Sequence, residues 1–146
     1  MRGLDARQRD LIQDVFNEGL SPYSLSALEK DFHLSFILER LSSSQSERAG
    51  LVLCGGTSLV KGHELIARMS EDMDFKVVVA SDFSKNQRSL FLSGLKRHIT
   101  SLLADDGFVV ENVSAHDQNS FFSIELRYSP SFPIEAALRP HILVEF

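Results

Sequence analysis

Two aspartates one residue apart, Asp72 and Asp74 in Ser70-Glu71-Asp72-Met73-Asp74-Phe75, lead into Lys76-Val77-Val78-Val79-Ala80, a run with the composition of a strand. Alternate strand residues share a face, so the two carboxylates point the same way with Cα atoms about 7 Å apart. Held like that, they repel unless a cation lies between them. Magnesium suits the pair, with manganese as its substitute: a hard ion that takes oxygen ligands, keeps several waters and is completed by substrate phosphates. Two such ions about 3.5–4 Å apart clamp the attacking and leaving oxygens of a phosphoryl displacement. An isolated D-x-D is short, however, and serves equally as a polar strand entrance with both acids in water.

Upstream, Leu51-Val52-Leu53-Cys54 has the length and apolarity of a buried strand, and Gly55-Gly56 follows it. Glycine gives the backbone access to positive φ and lets another group approach where a Cβ would stand. Thr57 and Ser58 are both good N-cap residues, which predicts a helix of roughly three turns starting there. A helix N-terminus with a hydroxyl and nothing bulky in front of it attracts anions, phosphate above all. Gly-Gly by itself also does no more than turn a strand into a helix.

The combination is more specific than its parts. A G-G-T-S corner one helix ahead of R-x-S-E-D-x-D-F resembles the nucleotidyltransferase superfamily to which DNA polymerase beta belongs. Gly55-Gly56-Thr57-Ser58-Leu59 with Lys61, then Arg68-Met69-Ser70-Glu71-Asp72-Met73-Asp74-Phe75, is similar to the AbiEii-type nucleotidyltransferase toxins of bacterial abortive-infection and toxin-antitoxin systems. Glu29-Lys30-Asp31-Phe32 also resembles a segment of those proteins. The likeness runs from about Ser26 onward and is strongest over Val52 to Phe75.

That resemblance implies roles. Gly55, Gly56, Thr57 and Ser58 would form the corner that holds a nucleoside triphosphate, and Asp72 and Asp74 would ligate magnesium or manganese. Lys61 and Arg68 would offset phosphate charge or brace the loop. A third carboxylate on a neighbouring strand completes the metal set and takes the proton of the attacking hydroxyl, and position and alternation in His141-Ile142-Leu143-Val144-Glu145-Phe146 nominate Glu145, an ordinary terminal acid on any other reading.

Other elements must position these groups. Leu4 to Leu20 places Leu11, Ile12, Val15, Phe16 and Leu20 on one helical stripe, broken by Gly19, Ser21 and Pro22. Ser26 and Glu29 have capping-box spacing, which predicts a second helix with Leu28, Phe32, Ile37 and Leu41 inward and Lys30 and Asp31 as a solvated pair. Ser42 to Arg48 reads as a polar loop. A long helix is expected over Ser84 to Ala104, with Phe91, Leu95, Ile99, Leu102 and Leu103 inward and a basic stripe of Lys85, Arg88 and Lys96, stopped by Asp105-Asp106-Gly107. Phe108 to Val113 and Phe121 to Tyr128 read as a hairpin around His116-Asp117-Gln118-Asn119, with Phe122, Ile124, Leu126 and Tyr128 on the core side. Pro130, Pro133 and Pro140 punctuate a loop that delivers a last strand, Ile142 to Phe146.

With 146 residues, 43% hydrophobic and 24% charged, the chain is long enough for one domain with a proper core. The net charge of −5 leaves no global basic field to draw nucleic acid, so any RNA contact needs a local patch. One cysteine, Cys54, excludes a disulfide scaffold and fits packing in a reducing cytoplasm. No apolar run approaches membrane-spanning length, and Met1 to Asp10 is too charged for a signal peptide. No P-loop, nucleophile elbow or zinc set appears.

These readings converge on an α/β (mixed α+β) nucleotidyltransferase core, a mixed sheet flanked by helices. The expected activity is metal-dependent transfer of a nucleotide from an NTP onto a hydroxyl of RNA, tRNA included, or of a protein, in a toxin opposed by an antitoxin. A nucleotide- or partner-binding module of the same fold without turnover is the alternative. Compared members of the family continue past the third-carboxylate strand into a helical region, which makes a fragment, a self-associating minimal form or a degenerate relative the expectations for a chain ending at Phe146.

Overall fold

In the strand Phe121–Arg127 the alternation is strict: Phe122, Ile124 and Leu126 are buried, as is Tyr128 just beyond, while Ser123 and Glu125 between them are half-exposed. That two-residue period decides which face of the sheet becomes core. The computed structural model describes residues 1–43, 49–62, 69–117 and 120–146. Its elements in chain order are α1 (Ala6–Asn17), α2 (Leu25–Ser42), β1 (Ala49–Cys54), the single turn α3 (Gly55–Thr57) widening into a π-helical turn over Ser58–Gly62, β2 (Asp72–Val79), α4 (Lys85–Asp105), β3 (Val109–His116), β4 (Phe121–Arg127) and β5 (Ile142–Glu145).

The strands form one mixed five-stranded sheet in the order β1-β2-β5-β4-β3. Neighbours run antiparallel except β2 and β5, which are parallel with Asp72 opposite Leu143 and Asp74 opposite Glu145. The architecture is the mixed α/β one that the sequence predicts. Leu34, Ile37 and Leu41 of α2 and Ile99 and Leu103 of α4 share a core with Met73, Phe122, Ile124, Leu126, Ile142 and Val144. Each such side chain withdrawn from water contributes roughly 1.5–3 kcal/mol. Because Met73 lies between Asp72 and Asp74, and Val144 precedes Glu145, the three acids fall on the opposite face from these core side chains. No helix among the described residues is long and apolar enough to cross a membrane.

Several local expectations need correcting. Helix α2 is capped by Ser24, whose hydroxyl accepts from the Ala27 N–H, and Ser26 is buried in the first turn. Glu29, which a capping box would have spent on Ser26, instead accepts from the N–H groups of Ser131 and Phe132 at 2.8 and 3.2 Å. On α1 only Ile12 is buried, where the helix packs on α2, and Leu11, Phe16 and Leu20 of the predicted stripe are exposed. Strand β1 is an edge strand with Val52 exposed, so its apolar run is half-covered where burial was expected. Helix α4 starts as predicted, with a Ser84–Gln87 capping box, and Leu92 joins Ile99 and Leu103 as a buried residue. The loop at 44–48, the turn residues 118–119 and the continuation of the corner helix through 63–68 lie outside the described residues.

Candidate active site

Across the β1–β2 pairing Cys54 stands opposite Asp74, so the next residue, Gly55, turns directly over that carboxylate. Gly55 has φ +63°, and a Cβ built on it would sit 1.9 Å from Asp74 Oδ2. Two separate requirements, left-handed backbone and close approach, both select glycine here. The helical turn begins earlier than predicted, with Cys54 as its cap residue and no side chain serving that cap. Thr57 is buried. Its hydroxyl donates to the carbonyl of Asp72 and lies 2.8 Å from Ser70 Oγ, which rivets the corner to the mouth of β2. That hydroxyl is therefore engaged within the fold, at the corner where a nucleotide contact was expected. Gly56 and Ser58 are half-exposed on the same turn. Lys61 pairs with Asp31 at 2.7 Å and donates to Ser35 Oγ at 2.9 Å, so of the two roles foreseen for it the structure has it bracing the turn against α2. Arg68 lies outside the described residues.

The acids meet at one end of the sheet. Asp74 and Glu145 are paired across the parallel β2–β5 ladder. Burial pushes the Glu145 carboxyl above its ordinary pKa, and the charge and hydrogen bond of Asp74, then the charge of Asp72, push it further, against a smaller opposing pull from Arg139. Asp72 faces a partner that sequence reasoning missed: Arg139 Nη1 donates to both of its carboxylate oxygens, at 2.9 and 3.1 Å. The parallel register is the only signal that leads to this arginine, because it brings the residues just ahead of β5 beside those that open β2.

Lys30 overturns its expectation most sharply. Far from being a solvated partner of Asp31, it is fully buried, with its ammonium 2.6 Å from Glu71 Oε2 and 3.0 Å from the carbonyl of Arg139. The Arg139 N–H donates to the same Glu71 oxygen at 2.8 Å. Burial works to raise the pKa of Glu71, but the hydrogen bonds and charges of Lys30 and Arg139 outweigh it and hold the carboxyl below its usual value. Glu29, Lys30 and Asp31 thus grip three separate segments around the acids: the 131–132 loop, the Glu71–Arg139 junction and the Lys61 turn.

As the side chains stand, no group of three or more His, Cys, Asp or Glu among the described residues is drawn close enough to hold a metal ion. The expected set of Asp72, Asp74 and Glu145 is therefore adjacent without being gathered, because Asp72 is turned onto Arg139. The donor chemistry nevertheless fits a hard divalent cation. All three are carboxylates, they lie at adjoining strand positions, and one already binds a cation supplied by the chain.

A mixed sheet whose glycine corner closes over a D-x-D strand is a nucleotidyltransferase-like core. Residues 37–146 match the nucleotidyl transferase AbiEii toxin family of type IV toxin–antitoxin systems, and the chain belongs to that family. Among curated proteins none matches. Solved structures to which the chain shows similarity include the Cid1 poly(U) polymerase with magnesium and 3'-dATP (21% identity, 97% of this chain and 37% of that one, TM-score 0.42). A second Cid1 structure, described by its RNA terminal uridylyl transferase activity, gives 20% identity over 96% of this chain and 35% of that one, with a TM-score of 0.44. The non-canonical poly(A) polymerase complex GLD-2–GLD-3 gives 18%, 97%, 39% and 0.44 in the same order. The chain thus spans little more than a third of those chains' lengths, and at that level of overlap nothing about its chemistry follows from them.

Proposed function

We propose that this chain carries the catalytic core of a metal-dependent nucleotidyltransferase toxin, moving a nucleotide from an NTP onto a hydroxyl of RNA, with tRNA the first acceptor to try, or of a protein. The observation that carries the reading is Asp74 seated between Gly55 and Glu145, which brings corner and carboxylates to a common place. In this reading Asp72, Asp74 and Glu145 hold magnesium or manganese, which supplies neutralisation of the phosphate charge. Gly55, Gly56 and Ser58 present a corner without bulk to the triphosphate, and Thr57 keeps it against β2. Lys61 braces the turn against α2, and the role of offsetting phosphate charge falls to Arg68 on its place in the family motif alone. Glu145 also takes the proton of the attacking hydroxyl at its Oε atoms. Positioning and charge stabilisation account for catalysis in such a transfer.

A second reading, a binding module without turnover, is favoured by one specific observation, the Arg139 guanidinium covering Asp72. The two separate cleanly. Radiolabel is followed from each α-labelled NTP into total tRNA, total RNA and protein with manganese or magnesium, while calorimetry follows nucleotide binding. Transfer that disappears in Asp74→Asn supports the enzyme; nucleotide binding with no transfer to any acceptor supports the module. Exposed Leu11 and Phe16 of α1 and Leu20 just beyond it give this end of the chain an apolar surface that self-association or an antitoxin would use. Light scattering is expected to report a mass above the monomer, reduced in Leu11→Ser with Leu20→Ser.

A further inference from the structure

The main chain of Arg139 is gripped from two sides: its N–H donates to Glu71 Oε2 at 2.8 Å and its carbonyl accepts from the buried Lys30 ammonium at 3.0 Å. Its side chain is 53% exposed and, among the described residues, hydrogen-bonds Asp72 alone. An ion pair this open to water is worth about 0–1 kcal/mol, so little holds the guanidinium in place. Asp72, by contrast, shares its strand face with Asp74, which stands opposite Glu145 across the β2–β5 ladder, so a divalent cation there relieves carboxylate repulsion. Backbone fixed and guanidinium loose is the arrangement of a side chain built to change partners. Its flat fork suits phosphate as well as carboxylate.

We propose, building on the nucleotidyl-transfer reading above, that Arg139 is a resident counter-ion with a second post. A divalent cation displaces it from Asp72, and the released guanidinium, still anchored through Glu71 and Lys30, binds the triphosphate that arrives with the cation. Arg139 is then a substrate-binding residue whose partner before substrate arrives is the acid it must later yield.

The test titrates the full chain by calorimetry, first with Mn2+ alone and then with inorganic tripolyphosphate at saturating Mn2+, a probe that needs no knowledge of the base. Arg139→Gln should bind Mn2+ roughly threefold more tightly, because a competitor is gone, and tripolyphosphate about tenfold more weakly. A merely structural arginine would weaken both, and changes of the same sign, or none, overturn the proposal. Asp74→Asn tests the underlying reading separately: if it binds Mn2+ as well as the wild type does, the metal-dependent site itself is wrong, whatever Arg139 does. Should Arg139→Gln fail to fold, the wild type decides. Its Arg139 Nε–H resonance should move during a Mg2+ titration with the midpoint of metal binding, and a resonance that stays still through saturation overturns the exchange.

Discussion

Gly55 concentrates more constraint than any other residue of the site, since both its φ of +63° and the nearby Asp74 carboxylate exclude a side chain. Gly55→Ala is expected to cost about 1–2 kcal/mol for left-handed backbone, measurable by urea unfolding. The carboxylate is the movable partner in the clash, so the larger effect should fall on function: Mn2+ binding by calorimetry should be lost in a variant that still folds. Glu145→Gln addresses proton transfer and should slow single-turnover labelling about 10²–10⁴-fold. Its raised pKa follows from burial and then from Asp74, beside which β5 sets it, and no neighbour in sequence announces that.

Between elements, the decisive contact is the Lys30–Glu71 pair, which ties α2 to the mouth of β2 and, through Arg139, to the approach to β5. Glu71→Gln should cost about 3 kcal/mol or more because it leaves the buried Lys30 ammonium without its counter-charge, whereas Lys30→Met combined with Glu71→Leu should recover much of that loss. Denaturant unfolding of the two variants checks the order. Such a contact shows why part of the fold was legible and part was not. Period-two alternation in Phe122, Ile124 and Leu126 and the apolar spacing of Leu95, Ile99 and Leu103 are local patterns, and both strand and helix formed where they predict. The Gly-Gly and D-x-D spacing likewise exposed corner and acids, since each is written within a few residues. Lys30 gave no local sign of burial: its partner is 41 positions away, and a lysine beside an aspartate looks solvated until the tertiary fold removes the water. Arg139 escaped for the same reason, its role resting on a parallel strand pairing that no periodicity encodes.

For the molecule as a whole, acid should loosen the core before the carboxylates matter. His33 is fully buried against the rings of Phe108 and Tyr128, and neither ring nitrogen has a hydrogen-bond partner among the described residues. Burial, aided by the charge of Arg2, lowers its pKa from 6.5 to about 4. The unfolded chain therefore takes up this proton first as pH falls, so stability present above pH 6.5 declines toward pH 4, by roughly 3 kcal/mol in all. Equilibrium unfolding at stepped pH should show that decline in the wild type and a flatter limb in His33→Phe. Glu71, held below its ordinary value, adds a later loss as it protonates at lower pH. The strand order carries a different consequence. Four residues, Ile142–Glu145, are the keystone between the β1–β2 and β3–β4 hairpins although they come last of the five strands along the chain. During synthesis on the ribosome, both aspartates and the whole glycine corner emerge well before their glutamate does. The three carboxylates therefore stand at one end of the sheet only once β5 has paired between β2 and β4.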